Sequence, residues 1–337
     1  MQHYVDLQPH NSLSLKGIAK YFVRVTNLEE IHQAISYCIS HKLKIYPLGG
    51  GSNIIIPQLT AGLVIYNKFV GKTLIKKNDN NIWIAVNSGE KWDDFVKYTL
   101  EKKYYGLENL AKIPGTLGGA VIQNIGAYAS DLSQHLESVE YINTIDGSTH
   151  ILSKIQCKFA YRESIFKQCL ASKSFITKVI LKLNCQFTPN INYKGLYENF
   201  CATAKKITAQ DIYNQVSALR LAKIPDYKIV PNVGSFFKNP IITIDKLCYL
   251  QQKYPNIVNF KLNHNQTKLS AAWLIQTADL KGYTHTNVGV SEQHCLVIIN
   301  QNIGITTKQD ILELSEHIQN KVSQKFNIAL EIEPIIW

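Results

Sequence analysis

A run of small residues, Gly49-Gly50-Gly51-Ser52-Asn53, stands between two apolar stretches rich in β-branched residues. Such a run exposes backbone N–H groups, which can bind the oxygens of a phosphate. It has neither the GxGxxG spacing of a dinucleotide-binding Rossmann turn nor the Gly-Lys-Ser/Thr ending of a P-loop. By itself the run is therefore either a phosphate-binding loop or a tight turn without a ligand.

A second run of this kind, Pro114-Gly115-Thr116-Leu117-Gly118-Gly119-Ala120, is followed by the amide side chains of Gln123 and Asn124. Two backbone-rich loops in one domain suit a long ligand that carries a pyrophosphate and a polar ring. Neither loop has the lysine or the Mg²⁺-binding hydroxyl that a transferable triphosphate requires. A dinucleotide is therefore favoured.

The composition indicates the kind of protein that carries these loops. With 337 residues, 45% of them hydrophobic, the chain is long enough for two domains. We find no apolar run that could cross a membrane and no secretory signal. Seven cysteines without a CxxC pair and ten scattered histidines predict reduced thiols in a cytoplasm and no bound metal.

The net charge of +11 raises the alternative of a basic nucleic-acid-binding protein. The lysines, however, are scattered along the chain and are not interleaved with aromatic residues. The charge therefore favours a small anionic ligand over a nucleic acid.

Apolar periodicity predicts the elements that position the loops. We expect helices at 27–43, 90–103, 209–222, 268–280 and 307–325, and strands at 44–47, 62–66, 82–88, 138–145, 175–186, 294–300 and 327–335. Residues 104–128 are predicted to form a long ordered loop with a short helix, and residues 230–240 a turn. This mixture is typical of an α+β or α/β protein.

Several stretches together resemble the UDP-N-acetylenolpyruvoylglucosamine reductases (UDP-N-acetylmuramate dehydrogenases), flavoenzymes of peptidoglycan precursor synthesis. The resemblance rests on GGGSN, IPGTLGGAVIQNIGAY, YRESIFK at 161–167, GSFFKNP at 234–240 and LEIE at 330–333, which occur in the family's order over nearly the whole chain. The segment around Tyr193 is similar to the tyrosine-bearing loop of the family's longer form.

The resemblance implies an α+β fold. Residues 1–205 would form a FAD-binding domain of the vanillyl-alcohol-oxidase (PCMH) type in two subdomains. Residues 206–326 would form a smaller α+β substrate-binding domain, and residues 327–337 a strand that carries Glu333 back to the site.

The implied reaction reduces UDP-N-acetylglucosamine enolpyruvate with NADPH and bound FAD. A hydride reaches the terminal carbon of the enol ether, and negative charge builds up on the next carbon and its carboxylate. Arg162 is implied to hold that carboxylate and Ser235 to give the proton. Glu333 is implied to donate a hydrogen bond or to hold a water that does, and Glu331 is expected to point the other way. The choice of NADPH over NADH comes from the family alone.

The resemblance also divides the contacts between cofactor and substrate. The implied FAD-binding residues are Gly49, Gly50, Gly51, Ser52, Asn53, Ile113, Pro114, Gly115, Thr116, Gly118, Gln123, Asn124, Gly126, Ala127 and Tyr128. The implied substrate-binding residues are Tyr161, Tyr193, Arg220, Lys223, Asn239 and Lys281. Lysines suit a diphosphate, and tyrosines can stack on uracil. We expect a cytoplasmic monomer that binds no nucleic acid, metal or membrane.

Three departures from the family pattern predict weaker substrate binding or, as the alternative, a decayed enzyme. Pro334 and Ile335 follow Glu333 where the family usually carries Val and Arg, the sequence stops at Trp337, and Phe260 stands where a tyrosine is expected. One alternative enzyme is an alcohol or sugar oxidase of the same flavin fold. Such an oxidase would need neither GSFFKNP nor Glu333.

Overall fold

A computed structural model describes residues 1–201 and 206–337. The described residues form eight α-helices: α1 (Leu28–His41), α2 (Trp92–Glu101), α3 (Leu117–Gln123), α4 (Lys194–Phe200), α5 (Ala209–Lys223), α6 (Ile244–Lys253), α7 (Ala271–Thr277) and α8 (Lys308–Phe326). The five predicted helices correspond to α1, α2, α5, α7 and α8, and α3 is the short helix expected within residues 104–128.

The strands are mostly short. In chain order they are β1 (Gln2–Asp6), β2 (Ile18–Val25), β3 (Ile45–Leu48), β4 (Ile54–Ile55), β5 (Leu59–Asn67), β6 (Lys72–Lys77), β7 (Asn81–Asn87), β8 (Gly126–Ala127), β9 (Ser130–Asp131), β10 (Leu136–Asn143), β11 (Thr149–Ser153), β12 (Ser174–Asn184), β13 (Asn232–Ser235), β14 (Ile241–Thr243), β15 (Asn259–Lys261), β16 (Gln266–Leu269), β17 (Thr284–His285), β18 (Val288–Val290), β19 (Val297–Asn300) and β20 (Ile335–Ile336).

Two sequence predictions need correction. The segment 230–240, expected to be a turn, contains the strand β13, because Asn232 and Ser235 pair with β19. The strand expected at 327–335 is not continuous. Ile332 forms an isolated bridge to Phe237, and pairing resumes only at β20. Pro334 lies between them and has no N–H to continue a ladder.

The chain divides into two compact units. The first comprises residues 1–5, 19–51 and 60–221, and the second comprises residues 6–18, 52–59 and 222–337. From the sequence we placed the boundary after residue 205, which lies outside the described residues. The segments 6–18 and 52–59 belong to the second unit although they precede most of the first in the chain. No local sequence pattern predicts this arrangement.

The first unit contains two sheets. The four-stranded sheet has the order β1-β2-β5-β3, and the five-stranded sheet has the order β11-β10-β12-β7-β6. Helix α1 packs its buried face, Ile31, Ala34, Ile35 and Cys38, into one hydrophobic core with Leu63 and Ile65 of β5. A second, larger core joins α2 and α3 to the five-stranded sheet. This mixture of helices and sheets confirms the α+β class.

The second unit contains a four-stranded sheet, β13-β19-β18-β17, a three-stranded sheet, β14-β16-β15, and the parallel pair β20-β4. Helix α8 buries Ile311, Leu314, Ile318 and Val322, whose spacing of three or four residues forms one apolar stripe. Thr307 begins α8 with a capping box, in which its side chain accepts from the Asp310 N–H.

Candidate active site

The two glycine loops contact each other through the residues that belong to the first unit. A Cβ atom on Gly50 would lie 2.6 Å from the Cα of Gly115, and one on Gly49 would collide with Oγ1 of Thr116. The neighbours that exclude a side chain at Gly49 and Gly50 are thus parts of the second loop. The sequence suggested either a bound ligand or a tight turn as the reason for the bare backbone, and the structure adds the packing of one loop against the other.

Other glycines in these loops have different surroundings. Gly51 has φ +63°, which an L-residue adopts at a cost. Gly119, in the first turn of α3, is exposed, and the nearest atom to a Cβ built there is Oγ1 of Thr116 at 3.9 Å. No packing contact therefore requires glycine at position 119. We did not single it out from the sequence, although it stands beside Gly118 in the same run.

This difference predicts opposite effects of two glycine-to-alanine changes. Gly50→Ala is expected to lower the free energy of unfolding by about 1–3 kcal/mol, because backbone must move away from backbone. Gly119→Ala should not lower it, because the site is open and alanine favours a helix. Urea denaturation of both variants without cofactor checks this, and equal stability of the two variants would contradict it.

Gln123, at the end of α3, has an unmatched donor. Its Oε1 accepts a hydrogen bond from Nζ of Lys167 at 3.1 Å. Its Nε2 is buried and has no hydrogen-bond partner within residues 1–201 and 206–337. Buried amides are normally satisfied, so this nitrogen fits the polar group of a ligand. This observation supports a cofactor such as FAD at the second loop.

The segment 160–167 is attached to the end of α3. Ala160 and Glu163 exchange two backbone hydrogen bonds of 3.1 Å, which close a tight hairpin. Asn124 donates to the Ala160 carbonyl at 2.9 Å, and Ser164 donates to the Ile122 carbonyl at 2.7 Å. The YRESIFK and QNIGAY motifs are thereby joined into one structure.

Arg162 occupies the turn of this hairpin in a left-handed conformation, with φ +56°. Its Nη2 donates to the Gly126 carbonyl at 2.6 Å, and its guanidinium lies over the Tyr161 ring, 5.3 Å from the centroid. A non-glycine residue in this conformation costs about 1–2 kcal/mol. Such strain is concentrated at functional sites, where surrounding contacts hold it.

A tyrosine pair lies in the same unit as Arg162. Tyr128 and Ala129 both have positive φ, as a two-residue turn between β8 and β9 requires. The Tyr128 and Tyr193 rings meet edge to face with centroids 4.8 Å apart. Burial raises the pKa of Tyr128 to about 12, although nearby Arg220 opposes this rise. Tyr128 is therefore a neutral hydroxyl at physiological pH.

Arg220 is half-buried at the end of α5. Burial lowers the pKa of its guanidinium, and the charge of Arg162 adds to that effect. The structure thus brings together two predicted substrate residues, Tyr193 and Arg220, with Tyr128, which we had assigned to the cofactor. Two guanidiniums that repel each other form a favourable environment for an anion.

The remaining predicted cofactor residues are divided between the two units. Ile113 and Pro114 precede α3, and Ala127 belongs to β8. Ser52 and Asn53 belong to the second unit. There the Asn53 carbonyl accepts from the Ile335 N–H at 3.0 Å, so this end of the first loop is tied to the segment that carries Glu333.

Ser235 ends β13 and pairs with Val297 of β19. The preceding Gly234 has φ +69°, and its N–H donates to Oδ1 of Asn232 at 2.9 Å. Within the described residues, nothing lies within 4 Å of a Cβ built on Gly234. Ser235 is therefore held by backbone pairing at the end of β13, next to a glycine whose Cβ position is open.

Glu333 lies on a segment paired with the GSFFKNP motif. Its N–H donates to the Phe236 carbonyl, and the Lys238 N–H donates to the Glu331 carbonyl, both at 2.9 Å. Residues two apart on an extended chain share a face, so spacing does not make Glu331 point away from Glu333 as we had argued. In the structure, Glu331 is marked instead by an ion pair: its carboxylate contacts Nζ of Lys238 at 2.5 Å.

The predicted substrate residues of the second unit are spread over several elements. Lys223 and Lys281 are exposed. Burial lowers the pKa of His294, and the positive charge of Lys223 lowers it further. Oδ1 of Asn239 accepts from the Ala271 N–H, the first N–H of α7, at 2.9 Å, so this side chain helps the N-cap Ser270 to satisfy the start of the helix. We did not single out Lys268, which pairs with Phe260 across β15 and β16 and extends over its ring.

In the described part of the chain, no three His, Cys, Asp or Glu side chains are grouped as a metal site requires. No helix of residues 1–201 and 206–337 is both long and apolar enough to cross a membrane.

Two family models match the chain. Residues 19–153 match a FAD binding domain, and residues 225–337 match the C-terminal domain of UDP-N-acetylenolpyruvoylglucosamine reductase. The order of a FAD-binding domain followed by a second domain is thus confirmed.

Proteins named UDP-N-acetylenolpyruvoylglucosamine reductase are similar over almost the whole chain. The protein of Polynucleobacter asymbioticus is 38% identical over 98% of this chain and 95% of its own length. The protein of Pasteurella multocida is 38% identical over 97% of this chain and 94% of its own length. The crystal structure of the Thermus caldophilus reductase has a TM-score of 0.68 and 23% identity, covers 99% of this chain and 98% of its own, and shows the shared fold.

Proposed function

The chain belongs to the UDP-N-acetylenolpyruvoylglucosamine reductase family, and we propose that it reduces UDP-N-acetylglucosamine enolpyruvate to UDP-N-acetylmuramate with FAD and NADPH. The observation that carries this proposal is the attachment of the Arg162 hairpin to the end of α3, beside the unmatched amide of Gln123. A cofactor-binding loop and a carboxylate-binding arginine thereby belong to one structure.

When bound, FAD supplies the hydride that NADPH provides. Gly51, the second glycine loop and Gln123 are the groups proposed to hold it. Their backbone N–H groups and the Gln123 amide suit a pyrophosphate and a polar ring, respectively.

We assign the substrate's charge and proton to three side chains. Arg162 holds the carboxylate, because a planar guanidinium can make two parallel hydrogen bonds to it while charge increases there. Ser235 gives its Oγ proton to the carbon next to the carboxylate. Glu333 donates a hydrogen bond or holds a water that does.

The UDP part of the substrate is assigned to Tyr161, Tyr193, Arg220, Lys223, Asn239 and Lys281. Exposed lysines suit a solvated diphosphate, and the half-buried tyrosines suit the sugar or the uracil. Ile335, in place of a family arginine, pairs with β4, and its apolar side chain offers no charge to the substrate. We therefore retain the expectation of weaker substrate binding, in a cytoplasmic monomer.

An anaerobic absorption experiment tests the proposal. The purified protein should show a flavin spectrum that bleaches with NADPH and returns with the enolpyruvyl UDP-sugar. A spectrum that returns only with air would indicate an oxidase instead. Purified protein that neither carries nor takes up flavin would contradict the proposal altogether.

A further inference from the structure

Asn109 is a buried asparagine in the short 3₁₀ helix Glu108–Leu110, which precedes the second glycine loop. Its Nδ2 donates two hydrogen bonds of 2.8 Å, one to the Tyr128 carbonyl and one to the Asn190 carbonyl. Carbonyl oxygens only accept hydrogen bonds, so the side-chain atom between them must be the amide nitrogen. One side chain therefore ties together two segments that are distant in the chain.

Asn190 adds a third bond to this connection. Its Nδ2 donates to the Ala129 carbonyl at 3.0 Å, and its Oδ1 accepts from the Asn192 N–H at 3.3 Å. The carbonyls of both turn residues, Tyr128 and Ala129, are thus bound by asparagines from other segments. Asn109 and Asn190 are called the asparagine pair below.

The asparagine pair is anchored on the side of Asn109. The carbonyl of the next residue, Leu110, accepts from Nε1 of the fully buried Trp92 at 2.8 Å. The other side is more open, because Asn190 is half-buried and the two residues before it are exposed. Asn109 is therefore the fixed point, and the segment around Asn190 is what it holds.

The turn held by the asparagine pair is strained. Tyr128 and Ala129 have φ +49° and +63°, which asparagine and glycine usually supply in two-residue hairpin turns. A tyrosine and an alanine adopt this conformation only where other contacts compensate the cost. The bonds to the Tyr128 and Ala129 carbonyls are such contacts. The conformation of the turn thus depends on side chains outside it.

The segment held through Asn190 carries Tyr193. Tyr193 follows three residues later, at the start of α4, and its ring meets the Tyr128 ring edge to face with centroids 4.8 Å apart. Burial raises the pKa of the Tyr128 hydroxyl, and Arg220 lies close enough to oppose this rise. The asparagine pair therefore fixes two rings against each other beside a guanidinium assigned to the substrate.

We propose that Asn109 and Asn190 are positioning residues for Tyr193, which hold its segment against the Tyr128 turn before the substrate binds. This inference rests on the proposed function, because the contact of Tyr193 with the UDP-sugar is assigned there. The asparagine pair acts on binding and not on the chemical step. A tyrosine that is already in place spares the ligand the cost of ordering it.

Loss of the asparagine pair should weaken substrate binding without slowing the chemistry. Asn190→Ala removes the bond to Ala129 and should raise the concentration of enolpyruvyl UDP-sugar that half-saturates flavin reoxidation by about 3- to 10-fold. Asn109→Leu removes two bonds and should raise this concentration by about 10- to 100-fold. The rate at saturation should stay within about two-fold of the wild type, because a released segment only lowers the fraction of binding-competent protein.

The Tyr193→Ala background shows whether the asparagine pair acts through Tyr193. In that background Asn190→Ala should change the half-saturating concentration by less than about two-fold, because the side chain to be positioned is gone. Stopped-flow absorbance of the FAD-bound protein without oxygen measures both the half-saturating concentration and the saturated rate. Asn320→Ala, at an exposed position of α8, is the matched control and should behave as the wild type.

Hydrogen–deuterium exchange of the FAD-bound protein without substrate gives a readout that needs no turnover. The amides of residues 187–193 should exchange faster in Asn190→Ala and in Asn109→Leu than in the wild type, because their segment opens more often. The half-buried Asn190 tests the proposal even if the buried Asn109→Leu variant folds poorly.

A raised half-saturating concentration that disappears in the Tyr193→Ala background would support the proposal. An effect of the same size in that background, or a slower saturated rate with unchanged half-saturation, would overturn it. If the wild type is not reoxidised by the enolpyruvyl UDP-sugar, the proposed function fails. The exchange measurement then decides alone whether the asparagine pair holds the Tyr193 segment, and unchanged exchange in Asn190→Ala would overturn that role.

Discussion

Ser235→Ala is expected to leave the bleaching of bound flavin by NADPH unchanged and to slow the return of colour with the enolpyruvyl UDP-sugar by about 10²- to 10⁴-fold. The substitution removes the hydroxyl assigned to proton delivery. It leaves β13 in place, because Ser235 pairs with Val297 through the backbone. Stopped-flow absorbance without oxygen measures the two half-reactions separately.

A matched serine provides the control for this variant. Ser323 is an exposed residue of α8, so Ser323→Ala should change neither half-reaction. If Ser235→Ala slows both half-reactions to the same extent, Ser235 supports the whole site and is not the proton donor.

Arg162→Lys is expected to slow flavin reoxidation by the enolpyruvyl UDP-sugar by about 10²- to 10³-fold, because an ammonium cannot hold a carboxylate in two parallel hydrogen bonds. The bond from Nη2 to the Gly126 carbonyl would also be lost. Bleaching by NADPH should change little. Arg24→Lys, at an exposed position of β2, is the matched control and should behave as the wild type.

Arg162→Asn separates this loss of activity from unfolding. Asparagine tolerates the left-handed conformation at this position, so about 1 kcal/mol of backbone strain is relieved while a hydrogen bond of similar worth is lost. The free energy of unfolding in urea should therefore stay within about 1 kcal/mol of the wild type. A much larger drop would mean that Arg162 mainly holds the hairpin and that its assignment to catalysis is wrong.

Much of the fold could be predicted from local pattern. The apolar spacing in α1 and α8 and the capping residues Asn27 and Thr307 lie within a few residues of what they specify. Strand β13 was missed because Gly234 and two prolines suggested a turn, whereas pairing with β19 supplies the hydrogen bonds that make it a strand. Such pairing joins distant segments and cannot be inferred from either one.

In the candidate site, too, the sequence indicated some features and only the folded chain showed the others. The roles proposed for Arg162, Ser235 and Glu333 come from the resemblance of their motifs to the reductase family, because side-chain type alone does not distinguish a catalytic residue from a structural one. The left-handed conformation of Arg162, its bond to Gly126 and the unmatched amide of Gln123 became visible only in the folded chain.

The sequence by itself determined the residue types and where the backbone had to be bare. Only the tertiary structure decided that Gly50 is bare because Gly115 lies against it, and that Lys238 engages Glu331. The physical reason is that residue type and backbone preference act within a few bonds. Close contacts and charge compensation, in contrast, depend on segments that meet only when distant parts of the chain pack together.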